Sequence, residues 1–159
     1  MKTCVYPGSF DPVTMGHMSI IERSARLFDT VYVALLDNTA KRTTLSKEDR
    51  IDFLNRVTAR FDNVIVQTFD GLLVDYVKSV GAGYIVRGLR AVSDFEYEFS
   101  ISSINSHLND DIETVFFMTD TKYSFLSSSV IREVALFGGN LTGLVPAEII
   151  ADVQYKLKK

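Results

Sequence analysis

Short apolar runs alternate along the chain with longer segments of helical periodicity. The runs typical of buried strands are Thr3–Tyr6, Val31–Leu36, Val64–Val66, Tyr84–Val86 and Thr114–Met118. The second run is continuously apolar, as expected for a strand covered on both faces. Five such strands separated by helices predict an α/β fold with a doubly wound, five-stranded parallel sheet and right-handed crossovers.

Helix ends are marked by capping residues, glycines and one proline. Ser46–Asp49 and Ser93–Glu96 resemble capping boxes, and the second predicts a helix running to about Asn109. The other boundary signals are Gly81 after a helix over 72–80, Ser127 or Ser128 before a helix to Phe137, Gly138-Gly139 after it, and Pro146 in the first turn of a last helix.

The segment Gly8–His17 joins the first strand to an amphipathic helix that begins near Thr14. Free backbone N–H groups and the positive end of the helix dipole favour anions at such a place. Gly8 and Gly16 let the backbone approach a ligand closely, and His17 can add a donor or a positive charge. The segment predicts a phosphate site, although an ordinary turn beside a surface histidine remains an alternative. The motifs of a P-loop and of the usual dinucleotide site are absent.

Polar groups after three other strands are expected to share the same rim. Lys41 and Arg42 follow the second strand, Arg87–Arg90 the fourth and Tyr123–Ser129 the fifth. Ligands of parallel sheets lie beyond the carboxyl ends of the strands. Each group alone is also explained by solvated charge or helix capping. Their coincidence on one edge favours a phosphate-handling site.

Length and composition narrow the class of protein. A chain of 159 residues fits one domain over 1–159, and a net charge of −3 argues against a nucleic-acid partner or an acidic membrane surface. No apolar run approaches the roughly 20 residues of a membrane span, and no signal peptide is visible. We therefore expect a cytoplasmic protein without a membrane partner. The single cysteine, Cys4, is expected to be an inert core thiol.

Several motifs resemble those of the nucleotidyltransferase superfamily. Thr14–His17 matches the superfamily motif T/H-x-G-H, and Leu126–Arg132 resembles its second motif, I-S-S-S-x-x-R/K. Tyr6–Pro12 and Arg87–Glu98 are similar to segments of the bacterial phosphopantetheine adenylyltransferases, and the likeness runs along essentially the whole chain. It implies a Rossmann-like nucleotidyltransferase fold. The implied reaction transfers the adenylyl group of ATP to 4′-phosphopantetheine, giving dephospho-coenzyme A and pyrophosphate.

The resemblance also implies roles for particular residues in this penultimate step of coenzyme A biosynthesis. The acceptor phosphate is itself an anionic nucleophile, so in-line attack needs no general base. The implied catalytic residues are Thr14, His17, Lys41 and Arg87, with His17 stabilising the transition state. The implied acceptor contacts are Ser9, Lys41, Leu73 and Arg87. The implied ATP contacts are Ser9, Phe10, His17, Gly88, Leu89, Arg90, Glu98, Tyr123, Ser124, Phe125, Leu126, Ser127, Ser128 and Ser129.

The sequence and the resemblance also lead to expectations about the cofactor, the oligomeric state and two alternative functions. No cluster of His, Cys, Asp or Glu has the spacing of a protein-held metal, so Mg²⁺ is expected to arrive with ATP. His107 is interpreted as structural. The resemblance implies a homohexamer and feedback inhibition by coenzyme A. Two alternatives stay open: a sister adenylyl- or cytidylyltransferase with another acceptor, and a non-catalytic nucleotide-binding regulator.

Overall fold

A computed structural model of the chain describes residues 1–36 and 43–158. Its sheet has five strands, β1 (Thr3–Gly8), β2 (Thr30–Leu36), β3 (Val64–Phe69), β4 (Tyr84–Leu89) and β5 (Glu113–Met118). They lie in the order β3-β2-β1-β4-β5, and every neighbouring pair is parallel. The predicted parallel α/β fold is therefore confirmed. The strand order reverses between β1 and β4, and such a switch point is where open parallel sheets bind ligands.

Six α-helices connect or follow these strands within the described part of the chain. They are α1 (Met15–Leu27), α2 (Lys47–Thr58), α3 (Leu73–Ser79), α4 (Val92–Leu108), α5 (Ser128–Leu136) and α6 (Ile150–Leu157). Short 3₁₀ turns occupy Thr121–Tyr123 and Ala147–Ile149. None of the helices in residues 1–36 and 43–158 has the length and apolar character needed to cross a membrane.

The sheet is covered on both faces, and its two faces belong to separate apolar clusters. In β1, Cys4 and Tyr6 lie in the larger cluster, whereas Val5 lies in the smaller one. This follows from the period of two, which sends successive side chains of a strand to opposite faces. The larger cluster includes side chains of α1, α2, α5 and α6, and the smaller one lies under α3. Cys4 is fully buried, which confirms its expected place in the core, and burial raises its pKa to about 12.

The fourth strand, β4, ends later in the chain than the sequence predicts. The sequence predicts that Arg87–Arg90 follow the fourth strand, but Arg87, Gly88 and Leu89 lie inside β4. The reason is tertiary, because β4 continues to pair with β5 in the register Arg87↔Phe116 and Gly88↔Phe117. Arg87 is consequently held by the sheet, and only Arg90 follows the strand.

Two predicted helix starts also need correction. The helix assigned to a capping box at Ser93 begins earlier, with Ala91 as its N-cap and no side-chain hydrogen bond at that cap. Asp94 accepts instead from the backbone N–H and the guanidinium of Arg90. Pro146 precedes the 3₁₀ turn that leads into α6, and does not lie in the first turn of the α-helix.

Candidate active site

A cavity of about 710 Å³ opens at the carboxyl ends of β1 and β4. The expected site residues that line it are Ser9, Phe10, Thr14, His17, Leu73, Arg87, Gly88, Arg90, Glu98, Tyr123, Leu126, Ser127 and Ser128. Leu89, Ser124, Phe125 and Ser129 are not among the lining residues. Lys41 and Arg42 lie outside the described residues. The cavity thus brings together three of the four polar groups that were expected on one rim.

Phe10 shapes the turn that follows β1. Its φ of 44° lies in the left-handed region, and its side chain is only 2% exposed. A Cβ at Gly8 would come within 2.9 Å of the Phe10 ring, so the glycine makes room for that ring as well as bordering the cavity. The Phe10 ring meets the His17 ring edge-on at 5.0 Å between centroids. Phe10 therefore belongs both to the core and to the wall of the site.

His17 is locked in one orientation by a capping box at the start of α1. The Thr14 hydroxyl accepts from the His17 backbone N–H at 3.3 Å, and the His17 Nδ1 accepts from the Thr14 backbone N–H at 3.0 Å. Histidine here takes the place that glutamate or glutamine usually has in this motif. An amide nitrogen can only donate, so Nδ1 carries no proton and the neutral ring holds its proton on Nε2. The site therefore offers one oriented N–H donor at that atom.

The electrostatics of the site keep His17 uncharged. Burial, and secondly the positive charge of Arg90, lower the pKa of His17 to about 4. Of the two roles expected from the sequence, the donor is the one that this environment supports, and a positive charge at neutral pH is not. A neutral donor suits a site in which charge develops on a ligand during reaction.

Arg87 and Glu98 form a bidentate ion pair between β4 and α4. The guanidinium Nε and Nη2 donate to the two carboxylate oxygens at 2.6 Å each. Burial by itself lowers the pKa of Arg87, but the hydrogen bonds and charge of Glu98 more than offset this, so that the pKa is raised. The pair places Glu98, an expected ATP contact, directly against an expected acceptor contact. Its rigid fork fixes the plane of the guanidinium.

Arg90 connects the two halves of the rim. Its Nη1 donates to the Leu126 carbonyl at 2.8 Å, while its Nε donates to the Asp94 carboxylate at 3.2 Å. The segment after β4 is thereby tied to the segment that leads into α5.

The serines at the start of α5 are already engaged by the protein. The Ser127 hydroxyl is the N-cap and accepts from the Val130 backbone N–H at 3.2 Å. The Ser128 hydroxyl donates to the Pro12 carbonyl at 2.8 Å, and Ser129 accepts from Arg132. Capping, which was the alternative explanation for these serines, is what Ser127 does in this structure. The N-terminus of α5 still presents the positive end of its dipole at the cavity.

Lys47, Arg50 and Tyr97 are among the lining residues to which the sequence analysis assigned no role in the site. Arg50 is the most informative, because it is only 4% exposed despite its charge. A signal for it existed in the sequence. Arg50 stands at helical spacing from Phe53 and Leu54, which are buried members of the same face of α2. A cation within an apolar stripe indicates a functional or structural partner.

The described residues offer few candidate ligands for a metal ion. Within residues 1–36 and 43–158, no three His, Cys, Asp or Glu side chains lie together as a metal site would require. Among the described residues that line the cavity, Glu98 is the single carboxylate and is paired with Arg87, and His17 is the single imidazole, a set that does not suit a protein-held divalent cation.

Comparisons with known proteins agree with this architecture. A family model described as cytidylyltransferase-like matches residues 5–134, so the chain belongs to this nucleotidyltransferase family. A solved structure from Vibrio parahaemolyticus, proposed to be a nicotinate-nucleotide adenylyltransferase, superposes with a TM-score of 0.69 over 98% of this chain and 96% of that chain. At 18% identity, that likeness shows the fold alone.

Similarity to curated relatives shows which family of nucleotidyltransferases the chain belongs to. A phosphopantetheine adenylyltransferase of Clostridium botulinum strain Alaska E43 is 51% identical over 99% of both chains. The protein of the same name from strain Hall is 50% identical over 99% of this chain and 96% of its own length. Within the nucleotidyltransferases, the chain is a member of the phosphopantetheine adenylyltransferase family.

Proposed function

We propose that the protein transfers the adenylyl group of ATP to 4′-phosphopantetheine, giving dephospho-coenzyme A and pyrophosphate. The observation that carries this proposal is the uncharged His17, whose Nδ1 is occupied by the Thr14 N–H and whose ring lines the same cavity as Arg87 and Arg90. The full-length similarity to proteins named phosphopantetheine adenylyltransferase supports the choice of acceptor.

The reaction is a substitution at the α-phosphorus of ATP. A phosphate oxygen of the acceptor forms the new P–O bond, and the bond to the bridging oxygen of pyrophosphate breaks with its electron pair leaving on pyrophosphate. Negative charge on the transferring phosphoryl oxygens must be stabilised in the transition state. His17 Nε2–H is the donor proposed for an α-phosphate oxygen, with Thr14 beside it. A neutral, fixed donor needs little reorganisation as charge develops.

The acceptor is proposed to lie on the Arg87 side of the cavity. Arg87 would hold its phosphate, with Ser9 and Leu73 nearby and Lys41 as a further phosphate contact, while the Gly88–Arg90 and Tyr123–Ser129 segments would hold ATP. Because Glu98 already neutralises Arg87, we propose that Glu98 sets the orientation of the guanidinium and limits its net attraction for anions.

A second cavity of about 90 Å³ extends from the acceptor side beneath α4. It shares Leu73, Arg87, Tyr97 and Glu98 with the main cavity. Ser102, Asn105 and the side-chain oxygen of Thr114 border it, and this buried Thr114 oxygen has no hydrogen-bond partner among the described residues. A narrow, mainly apolar extension with a few polar groups suits an acceptor with an amide-bearing arm attached to its phosphate.

Magnesium is proposed to enter as the MgATP substrate. The described cavity lacks a carboxylate set for a protein-held ion, whereas Mg²⁺ readily binds nucleotide phosphates and keeps several waters. We expect activity to vanish with a chelator and to return with added Mg²⁺. A stoichiometric transition metal in the purified chain would contradict this assignment.

Pyrophosphate release tests the proposed function directly. With ATP and Mg²⁺, we expect turnover with 4′-phosphopantetheine and little with nicotinate mononucleotide. A reversed preference would favour a sister enzyme with another acceptor. ATP binding without pyrophosphate release from any acceptor would favour the non-catalytic regulator instead.

Assembly, regulation and location are further parts of the proposal. Large apolar side chains of α4, among them Phe99 and Ile104, are more than half exposed, which supports a homo-oligomer, proposed to be a hexamer. Coenzyme A contains the adenylyl and pantetheine parts of the product, so it is proposed to compete as a feedback inhibitor. A cytoplasmic location is proposed from the reaction's substrates. Sedimentation velocity and inhibition kinetics test the first two.

A further inference from the structure

Four backbone carbonyls, that of Pro7 in β1 and three in the segment after β1, accept hydrogen bonds from side chains of distant elements. The pairs are Arg87 Nη1 to Pro7 at 3.2 Å, Arg50 Nη1 to Ser9 at 2.9 Å, Arg132 Nη1 to Asp11 at 2.6 Å, and Ser128 Oγ to Pro12 at 2.8 Å. Three of the four donors are guanidinium groups, and they come from α2, β4 and α5. The end of β1 and the segment between β1 and α1 are therefore held together by side chains from three elements.

This arrangement has an electrostatic consequence for a site that takes anions. A carbonyl oxygen is the negative end of a peptide dipole and repels a phosphate that approaches it. A carbonyl bonded to a guanidinium is oriented toward that cation and partly neutralised by it. The peptide planes of the segment are fixed as a result, and with them the directions of the N–H groups and of the Ser9 side chain.

Arg50 is held by carbonyls rather than by a carboxylate. Its Nε donates to Ser46 at 3.3 Å and its Nη1 to Ser9, and among the described residues no carboxylate lies within 4.0 Å of it. Burying a cation with only neutral partners is costly. Arg50 also lines the cavity. The Ser9 carbonyl that it holds directly precedes Phe10, whose φ is 44°.

Arg132 secures the other end of the segment together with Asp11. The buried Asp11 carboxylate accepts from the backbone N–H groups of Thr44 and Leu45, at 2.8 and 2.9 Å, and lies 3.5 Å from Arg132. Arg132 thereby connects α5 to the segment after β1, and Asp11 connects that segment to the residues that lead into α2.

We propose that Arg50 and Arg132 are positioning residues for adenylyl transfer, which pin the Ser9 and Asp11 carbonyls and so hold the segment 9–14 and His17 in line with the reacting phosphates. This inference rests on the proposed function for its reaction, but the geometry on which it depends is that of the chain alone. A misplacement of about 1 Å by a residue that makes no contact with the reacting atoms can cost on the order of 10²-fold in rate.

The test compares Arg50→Lys and Arg132→Gln with Arg60→Lys, a control at an exposed arginine just beyond α2. Lysine keeps the charge of Arg50 but cannot reproduce the guanidinium fork, and glutamine removes both the charge and the fork of Arg132, so we expect kcat to fall on the order of 10- to 10²-fold in both test variants. KM for ATP and acceptor should stay close to that of the unchanged protein, and Arg60→Lys should have no effect. Hydrogen exchange, followed by mass spectrometry without substrates, should rise in peptides covering 9–14 in the test variants only.

The outcomes separate positioning from other roles. Unchanged kcat and unchanged exchange in the segment would overturn the proposal, as would a loss confined to KM, which would make the arginine a direct ligand. If Arg50→Lys fails to fold, Arg132→Gln decides, because the Arg132 side chain is less buried. An unchanged protein that shows no turnover would refute the proposed function, whereas the exchange measurement would still test whether the arginines hold the segment.

Discussion

Two helices that border the cavity, α1 and α4, are stabilised in opposite ways. α1 begins with the Thr14–His17 capping box and buries Ile20 and Ile21 in the main core. α4 begins at Ala91 without a side-chain cap and has no buried residue over its 17 residues. Its exposed large apolar side chains are Val92, Phe95, Tyr97, Phe99, Ile104 and Leu108. α1 is therefore packed within the single chain, whereas α4 has an apolar face that residues 1–36 and 43–158 leave exposed.

Because α1 and α4 are stabilised differently, they hold their site residues in different ways. α1 presents His17 from a locally capped, deeply packed helix, so the orientation of this donor depends on short-range bonds. α4 presents Glu98, whose position depends on the ion pair with Arg87 across the sheet edge. Changes in α1 should therefore affect the chemical step, and changes in α4 should affect assembly and the acceptor side.

The largest effect is expected from His17→Ala. If Nε2–H donates to an α-phosphate oxygen as charge develops, kcat should fall on the order of 10²–10³-fold, or roughly 3–4 kcal/mol. KM for ATP and for the acceptor should move far less. Steady-state kinetics beside a thermal melt check this, with His107→Ala as the control. Near-normal kcat with a greatly raised KM for ATP would make His17 a binding residue.

A matched pair of isoleucines tests the packing difference itself. Ile21 of α1 is fully buried and Ile104 of α4 is 56% exposed. Ile21→Ala should cost roughly 2–5 kcal/mol of unfolding free energy. Ile104→Ala should stay within about 0.5 kcal/mol for the single chain. Denaturant titrations at several protein concentrations measure both. Equal losses at high dilution would contradict the comparison, and a loss from Ile104→Ala that grows with concentration would indicate that α4 is covered by another copy.

The charge state of His17 gives a pH test. Because burial and Arg90 lower its pKa to about 4, the folded ring stays neutral while the unfolded ring takes up a proton near pH 6.5. Its contribution to stability is therefore complete above about pH 6.5 and is lost as the pH falls toward 4. NMR titration of the imidazole in His107→Ala, which leaves one histidine, measures this directly. A midpoint near 6.5 would mean that Nδ1 does not keep its bond to Thr14.

The smallest effect concerns the missing cap of α4. Ala91 has the extended backbone of an N-cap, with φ −146° and ψ 167°, but no side-chain acceptor. Ala91→Ser should raise the unfolding free energy by about 1 kcal/mol, and Ser46→Ala at the capped start of α2 should lower it by a similar amount. Denaturant unfolding of both variants provides the measurement. No gain from Ala91→Ser would show that the start of α4 is already satisfied in another way.

Local patterns were sufficient to predict most of the fold. The apolar runs predicted all five strands of the sheet, although the structure extends each of them by one to three residues. The capping residues Thr14, Ser46 and Ser127 mark helix starts that the structure contains. These signals succeed because strand periodicity and capping depend on neighbours within a few residues. The start of α4 was misplaced because Asp94, part of a plausible capping box, bonds to Arg90 instead.

The sequence by itself determined which chemical groups would meet at the carboxyl ends of the strands, because a parallel sheet brings those ends to one edge. Only the tertiary structure decided how each group is used. The bidentate pairing of Arg87 with Glu98, the burial of Arg50 against the Ser9 carbonyl and the neutral state of His17 depend on neighbours distant in the chain or on exclusion of water. Charge state and hydrogen-bond direction are properties of a three-dimensional environment, and no local pattern specifies them.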